Sequence, residues 1–142
     1  MKKSSVLSLS FVAALLASAG CASSGHDKGA YSAQLPAKPS PETREPIVMM
    51  DPGVQYSVTC TGLQEQALAD GRLQVQGHIR NRENRRIEVQ ANCVFKDANG
   101  FSTGDETPFQ TVILTENATE DIRFTSINNL AKKYTIRIRE AR

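Results

Sequence analysis

Few side chains in this sequence are of the types that carry out catalysis or bind metal ions. After residue 50 there is one histidine, His78, which falls on the polar side of an alternating stretch, where a solvated surface position is expected. His26 has no neighbours that could complete a metal site. No nucleophile has an adjacent base, and no glycine-rich phosphate-binding loop is present. The sequence therefore predicts a protein that is not an enzyme and has no cofactor.

Oxygen-bearing side chains gather between residues 97 and 106. Asp97, Asn99, Asp105 and Glu106 could suggest calcium, but their spacing lacks the pattern of an EF-hand loop. The stretch from Asp97 to Gly100 is also a typical turn sequence, in which the glycine supplies a positive φ. Because the turn explains Asp97 and Asn99 without an ion, we predict a turn here and no metal site.

The first twenty residues have the features of a secretory signal peptide. Lys2 and Lys3 give a positive start, residues 6–19 form an apolar run, and small residues precede Cys21. The run is shorter than the ~20 apolar residues that a helix needs to cross a bilayer. We therefore predict that residues 1–20 are removed on export.

Cys21 stands where a lipid-modified cysteine would be expected. The stretch from Ser18 to Cys21 resembles the lipobox of bacterial lipoproteins, in which the thiol receives a diacylglycerol and the cysteine becomes the first mature residue. Ordinary cleavage after Ala17-Ser18-Ala19 is the alternative. Ala22 replaces the aspartate that retains enteric lipoproteins in the inner membrane. The resemblance implies an outer-membrane lipoprotein that faces the periplasm and is anchored through Cys21.

Export would also change the charge of the protein. The whole chain has a formal charge of +2, but Lys2 and Lys3 belong to the export signal. Without them, the 15 acidic side chains are matched by an equal number of basic ones. A neutral mature chain offers no bulk attraction to phosphate backbones, so we predict no nucleic-acid partner.

Lipidation of Cys21 would leave two of the three cysteines, Cys60 and Cys93. Both fall on the apolar side of alternating stretches, and the bacterial periplasm is oxidising. We expect a disulfide between them, which would close a loop of about 34 residues and stabilise the fold by roughly 3–4 kcal/mol. Two separate buried thiols are the alternative.

Residues 21–50 are predicted to form a flexible tether. They are rich in small and polar residues and contain four prolines between residues 36 and 46. Proline-rich chain favours an extended polyproline conformation, which cannot build a sheet. The apolar residues 47–50 could instead form a first edge strand. The folded domain is assigned to residues 51–142.

From residue 51 onwards, apolar and polar residues alternate with the period of two that is typical of β-strands. Alternating runs cover residues 54–60, 72–80 and 87–95, and later strands are expected at 109–114, 119–125 and 134–139. No long window repeats with the 3.6-residue period of a helix. Short strands with one apolar face predict antiparallel sheets that pack over a shared core.

The connections between these strands carry their own signals. Residues 81–85 are polar and lie between two clean alternations, so we predict a hairpin loop that joins neighbouring strands. Residues 128–133 could form one helical turn before the last strand.

Several stretches resemble a known family. Residues 71–81 give a leucine-x-valine strand that ends in asparagine, and residues 94–100 give an aromatic residue followed by an aspartate-x-x-glycine turn. Residues 109–114 and 134–139 occupy the places of a later strand and a closing strand. Over residues 70–139 the chain resembles the YcfL-like small bacterial lipoproteins. The resemblance implies an immunoglobulin-like β-sandwich of about six to seven strands, located in the cell envelope and without a catalytic motif.

A hairpin at residues 81–85 would fix the register of its two strands, because a slip by one residue would turn every apolar side chain outward. Their polar residues would then share one flat, solvent-facing surface that offers donors and acceptors for a glycan strand or a polar protein. A solvated face that only stabilises the sheet is the alternative. The predicted members of this face are Gln74, Gln76, His78, Arg80, Arg86, Glu88, Gln90 and Asn92.

Two classes of function fit these features. The first is a non-catalytic envelope module, a β-sandwich on a membrane tether that binds another envelope protein or peptidoglycan. The second is a structural or inhibitor-like periplasmic lipoprotein with no specific wall ligand.

Overall fold

The alternating residues form eight strands in the part of the chain that the structure, a computed structural model, describes: residue 30 and residues 32–141. Two short helices accompany them. The elements are α1 (Pro41–Arg44), β1 (Ile47–Met49), α2 (Pro52–Ser57), β2 (Val58–Ala67), β3 (Leu73–Asn81), β4 (Ile87–Lys96), β5 (Ser102–Glu106), β6 (Gln110–Leu114), β7 (Thr119–Thr125) and β8 (Lys133–Glu140).

The predicted signal peptide, the lipidation residue Cys21 and His26 lie outside the described residues. Within residues 32–141, the structure contains no helix of the length and apolar character needed to span a bilayer.

Two sheets face one another. Five strands form the larger sheet, in the order β1-β8-β4, and both β5 and β6 pair with the remaining edge of β4. The smaller sheet has the order β2-β3-β7. All pairs are antiparallel except β1 with β8. The predicted all-β sandwich is confirmed, with eight strands instead of six or seven.

The core lies between the inner faces of the two sheets. Val75 and Ile79 enter it from β3, and Ala91, Cys93 and Phe95 enter it from β4, all with no exposed surface. From other strands it takes Leu114, Ile122, Phe124, Ile136 and Ile138. The period-two pattern placed these residues inward because successive side chains of a strand point to opposite faces.

The first predicted strand is partly wrong. Residues 54–60 were expected to be extended, but Pro52 begins helix α2 and β2 begins at Val58. Proline is favourable at the first position of a helix, since its missing N–H is not needed there. Val54 is buried whereas Tyr56 is 76% exposed. Residues four positions apart, such as Val54 and Val58, lie on the same side of either a strand or a helical turn. Only the flanking proline distinguishes the two structures here.

The folded domain also begins earlier in the sequence than predicted. The apolar residues 47–50, left open as tether or strand, supply β1, whose register with β8 sets Ile47 against Ile136. The compact unit extends from Leu35 to Arg142. Residues 35–50, assigned to the tether from their prolines, therefore belong with the folded domain.

The most consequential error concerns residues 81–85, which do not form a hairpin loop. β3 pairs with β2 and β7, whereas β4 pairs with β5, β6 and β8. The connection after Asn81 instead crosses from the smaller sheet to the larger one. In a sandwich, the inner faces of both sheets border one core. Two strands therefore show the same alternation of apolar and polar residues whether they are neighbours in one sheet or lie in opposite sheets.

The sequence also makes predictions for two further connections between strands. The turn at residues 97–100 is confirmed: Gly100 has φ of 88°, and its N–H donates to the Asp97 carbonyl oxygen at 3.1 Å. The helical turn expected at residues 128–133 is not formed. The chain bends at residues 127–129 instead and enters β8 at Lys133.

Candidate functional site

The eight residues predicted to share one face lie on two different sheets. Gln74, Gln76, His78 and Arg80 are on β3, whose outer side belongs to the smaller sheet. Glu88, Gln90 and Asn92 are on β4, and Arg86 directly precedes that strand in the larger sheet. The predicted single face is therefore wrong, because the two strands are not neighbours.

The outer side of the larger sheet is largely covered by its own side chains. Asn92 is fully buried, and its amide donates to Glu106 Oε1 at 2.8 Å and to the Thr107 carbonyl oxygen at 3.1 Å. Its oxygen accepts a hydrogen bond from Arg137 Nε at 3.0 Å. Arg137 also pairs with Glu106. Every polar atom of Asn92 is thus used within the protein, and this predicted binding residue is a structural one.

Phe109 extends this cover. The guanidinium carbon of Arg139 lies 3.6 Å from the centre of the Phe109 ring, and that of Arg137 lies 5.5 Å from it. Arg139 also donates to Gln90 Oε1 at 3.0 Å. Cation–π contacts of this kind contribute about 0.5–2 kcal/mol each. The side-chain oxygen of Gln90 is therefore engaged with β8.

Lys96 holds the amino-terminal helix against the same sheet. Its side chain is only 8% exposed, and Nζ donates to the Glu42 carbonyl oxygen and to Thr135 Oγ1. Thr135 Oγ1 also donates to the Glu45 carbonyl oxygen at 2.9 Å. Burial lowers the pKa of Lys96 from its ordinary value of 10.5, while the Glu42 carboxylate opposes that shift.

A cleft of about 200 Å³ remains between α1 and the sheet, lined among others by Thr43, Lys96 and Arg137. The hydrogen bonds of Lys96 and Arg137 are directed to groups of the protein itself. The simplest explanation of this cleft is the imperfect fit of a short helix over one buried and one partly buried cation.

The smaller sheet is different, because its outer side remains open. Residues paired across its three strands form rows on this side: one row has Gln76 between Gln64 and Arg123, and another has Gln74 between Gln66 and Thr125. The next rows centre on His78 and Arg80. We call this surface the polar face, and its members are Thr59, Gln64, Gln66, Gln74, Gln76, His78, Arg80, Thr119, Asp121, Arg123 and Thr125.

Neighbours on the polar face contact one another loosely. Gln76 Nε2 donates to Asp121 Oδ2 at 3.2 Å, and Arg123 donates to Gln76 Oε1 at 3.3 Å. His78 Nδ1 pairs with Asp121, and both side chains are about half exposed. Pairs as exposed as these contribute little to stability. The polar face therefore keeps its donors and acceptors accessible to a partner.

Positive charge dominates one end of the polar face. A cleft of about 320 Å³ is lined by Thr59, Thr61, Arg80, Arg82 and Asn117. Arg80 and Arg82 are exposed and make no salt bridge within the described residues. Arginine forks bind carboxylates in a bidentate manner, so this end suits a partner with carboxylate groups.

Seven of the eleven members of the polar face were missing from the sequence-based prediction. Gln64 and Gln66 come from β2, and Asp121 and Arg123 come from β7. The alternation had already placed Ile122 and Phe124 inward, so Asp121 and Arg123 were outward by the same parity. What the pattern lacked was the pairing of β7 with β3, which joins residues 45 positions apart in the case of Gln76 and Asp121.

The predicted disulfide is not present. Cys60 and Cys93 are both free thiols, one half-buried on β2 and the other fully buried on β4, in opposite sheets. The Cys60 thiol donates to the Gly62 carbonyl oxygen at 3.4 Å. Burial, with the nearby Asp105 carboxylate, raises the pKa of Cys93 to about 12. A shared apolar parity showed that both face the interior, but it could not show that they meet.

The oxygen-bearing residues between positions 97 and 106 do not converge. The Asp97 carboxylate accepts from the N–H groups of Asn99 and Phe101 within its turn, at 2.8 and 3.0 Å. Asp105 is buried and accepts from the Ile127 N–H at 2.6 Å, whereas Glu106 points to Arg137 on the outer side. Among the described residues, no three histidine, cysteine or acidic side chains are grouped to hold a metal ion.

Comparison with known proteins connects this sandwich to a family. A family model described as "Protein of unknown function (DUF1425)" matches residues 46–140. The chain belongs to this family. The assignment agrees with the resemblance to the YcfL-like lipoproteins. No curated protein matches the chain.

Two solved structures resemble the domain. The crystal structure of Campylobacter jejuni cj0090 matches with a TM-score of 0.58 and 14% identity, and the match covers 68% of this chain and 98% of that one. A DUF1425 family member from Shewanella sp. pv-4 matches with a TM-score of 0.54 and 24% identity, over 60% of this chain and 79% of that one. At these identities the likeness concerns the fold alone.

Proposed function

We propose that this DUF1425 member is a non-catalytic binding module of the bacterial cell envelope. In this proposal the chain is exported, carries a lipid on Cys21 and stands on the outer membrane facing the periplasm. The polar face binds another envelope protein or peptidoglycan. The observation that carries the proposal is the difference between the two outer surfaces of the sandwich.

The larger sheet ties its central outward polar groups to one another, as the contacts of Asn92, Lys96 and Arg137 illustrate, and leaves Glu88 exposed near one end. The polar face instead presents amides in rows, with Gln64 opposite Gln76 and Gln66 opposite Gln74. An amide side chain both donates and accepts, so each row can bind hydroxyl, amide or carboxylate groups. A flat array of such groups is suited to an extended polar ligand.

The charges favour a partner that is net negative. Arg80, Arg82 and Arg123 are exposed at or beside the polar face, while Asp121 is its only acidic member. Peptidoglycan and acidic protein surfaces both supply carboxylates. Arginine would anchor these groups, and the amide rows would bind the intervening polar backbone.

The experiment is co-sedimentation with purified peptidoglycan and pull-down from detergent-solubilised envelopes, using the mature protein. We expect the double variant Gln76→Ala and Arg80→Ala to lose the bound partner while its thermal unfolding midpoint changes little. The matched control is Arg86→Ala with Glu88→Ala, an exposed pair on the other sheet that should retain binding. Retained binding by the folded Gln76 and Arg80 variant would contradict the assignment.

A structural or inhibitor-like lipoprotein is the second candidate. It is favoured by the mutual contacts of His78, Gln76 and Asp121, which form without a ligand. In that case, no partner would be recovered at near-equal amount, and the polar-face variants would behave like the unchanged protein in every assay.

A further inference from the structure

Three loops meet at one end of the sandwich, which we call the loop end: residues 68–72, 97–101 and 126–132. The Lys132 N–H donates to the Lys96 carbonyl oxygen at 2.8 Å, which fixes the third loop beside the second. A side chain at Gly71 would come within 3.2 Å of Asn129 Cβ, so the first loop also adjoins the third. The opposite end holds α2 and the connections that follow β3 and β6.

The loop end exposes large apolar side chains. Phe101 is 73% exposed, Ile127 is 79% exposed and Leu130 is 59% exposed. Their loops are nevertheless well anchored: the Ile127 N–H donates to the buried Asp105, and Ala131 is buried in the core. Fixed apolar tips on two adjoining loops, 97–101 and 126–132, are typical of an interaction surface.

Basic side chains lie to one side of these tips, in a cleft lined by Arg44, Lys132 and Lys133 together with Glu45 and Glu65. Lys132 and Lys133 follow Leu130 after one intervening residue and are exposed, and Arg44 is exposed at the end of α1. The acidic residues of the same loops are engaged locally. Asp70 pairs with Arg72, and the Asp97 carboxylate accepts two N–H groups of its own turn. Within residues 32–141, Lys132 and Lys133 make no salt bridge. Lysines of this kind next to apolar tips fit a surface of negative charge that also has an apolar interior.

The chain enters the domain at this same end. Ser40, which precedes α1, lines one cleft together with Gly100 of the second loop. Leu35, where the compact unit begins, is fourteen residues after Cys21. Fourteen residues of extended chain reach about 50 Å at most. A lipid on Cys21 would therefore keep the domain within that distance of the membrane, and the loop end is where its tether attaches.

We propose that the loop end lies on an anionic lipid bilayer. Phe101, Ile127 and Leu130 enter the boundary between headgroups and acyl chains, and Lys132 and Lys133 lie at the level of the headgroup phosphates. Apolar burial and attraction to anionic lipid act together in such interfacial binding. A bilayer in contact with the loop end would leave the polar face free on the side of the sandwich. Membrane binding can therefore be tested separately from partner binding.

The chain contains no tryptophan, which allows a single reporter to be placed at will. We use the mature chain with Cys21→Ala, so that no lipid anchor contributes, and vesicles of phosphatidylethanolamine with or without phosphatidylglycerol. The Phe101→Trp variant should show a blue shift of its emission when vesicles with phosphatidylglycerol are added. Tyr56→Trp, an equally exposed aromatic position on α2 at the opposite end, should show none. An unshifted emission at position 101, or an equal shift at position 56, would overturn the proposal.

Vesicle sedimentation measures how much individual side chains contribute to the affinity for the bilayer. Burying one such aliphatic side chain contributes enough to change an equilibrium about tenfold, so Ile127→Ser with Leu130→Ser should weaken binding at least tenfold. Tyr56→Ser is the control and should bind normally. Lys132→Glu with Lys133→Glu should weaken binding only where phosphatidylglycerol is present. Binding that is indifferent to phosphatidylglycerol would contradict the anionic surface.

A second copy of the chain is the competing occupant of the loop end. Sedimentation equilibrium without vesicles distinguishes the two. A monomer at all concentrations supports the lipid surface, whereas a dimer abolished by Ile127→Ser with Leu130→Ser would assign these tips to self-association and overturn the proposal.

Discussion

The side-chain nitrogen of Asn81 lies 2.8 Å from the carbonyl oxygen of Thr115 and so joins the two connections that cross between the sheets. It also donates to the Arg85 carbonyl oxygen at 2.7 Å, and its oxygen accepts from the Glu83 N–H at 2.8 Å. Asn81 has no exposed surface. One buried amide thus fixes both the path from β3 to β4 and the path from β6 to β7.

Asn81→Ala should lower the free energy of unfolding by about 3 kcal/mol, because it leaves several buried backbone groups without partners. Urea unfolding measures the change. Asn84→Ala, an exposed asparagine of the same connection with one side-chain contact, should change stability by less than about 0.5 kcal/mol. Similar losses in both variants would mean that the connection is not held by Asn81.

Lys96→Met should release α1 from the sheet, because it removes the ammonium that binds the Glu42 carbonyl oxygen while retaining the apolar stem. Trypsin should then cleave after the exposed Arg44 several-fold faster than in the unchanged protein. The rate is read from the fragment that begins at Glu45. Lys133→Met, a neighbouring exposed lysine, should leave the rate unchanged. Equal rates in all three proteins would show that Lys96 does not hold the helix.

The two cysteines should react at very different rates with an alkylating reagent. Only the thiolate reacts, and a pKa of about 12 in place of 9.0 reduces the thiolate fraction of Cys93 about a thousandfold at neutral pH. We expect slow labelling of Cys60 and no labelling of Cys93 until the protein unfolds, as measured by mass spectrometry. Rapid labelling of Cys93 in the folded protein would contradict its burial. Two thiols that resist labelling after unfolding without reductant would indicate the disulfide that the structure lacks.

Acid should weaken the fold through Glu83. A hydrogen bond from Ser57, followed by the pairing with Arg85, lowers the pKa of Glu83 below its ordinary 4.5. A carboxyl whose pKa is lower in the folded state stabilises that state above its unfolded pKa, and this contribution is lost as the pH falls through the folded pKa. The unfolding midpoint of the unchanged protein should therefore exceed that of Glu83→Gln above pH 4.5, and the gap should narrow below it. Exposed Glu116→Gln should show no such trend, and a gap independent of pH would refute the role of Glu83.

Alternation alone predicted most of the strands and most of the core. Whether a residue such as Val75 or Ile138 points inward follows from the alternation of apolar and polar residues in its own strand. It missed β5 because Ser102–Glu106 contains Gly104, two acidic residues and no large apolar residue. This strand is an edge that pairs only at Val94 and Lys96. Its position follows from the turn before it and not from its own side chains.

The candidate site was harder to predict than the fold. Which residues point outward is a local property, and Gln74, Gln76, His78 and Arg80 were placed correctly. Which outward residues share a surface depends on strand pairing, and the same parity allowed β3 to lie beside β4 or across the core from it. The register of Gln76 with Gln64 and Arg123 is set by contacts between distant segments, which no short stretch of sequence specifies.

The place of β8 has a consequence for how the domain comes into being. The last strand of the chain lies between β1 and β4, so the centre of the larger sheet is built from its carboxyl-terminal residues. A ribosome or a translocation channel delivers the chain from its amino end, and until β8 emerges, β1 has no partner and one edge of β4 stays bare. Contacts between such distant segments form slowly, because a long loop must close first. During that interval the apolar faces of β3 and β4 are without their full cover, which leaves the newly delivered chain prone to aggregation until β8 pairs.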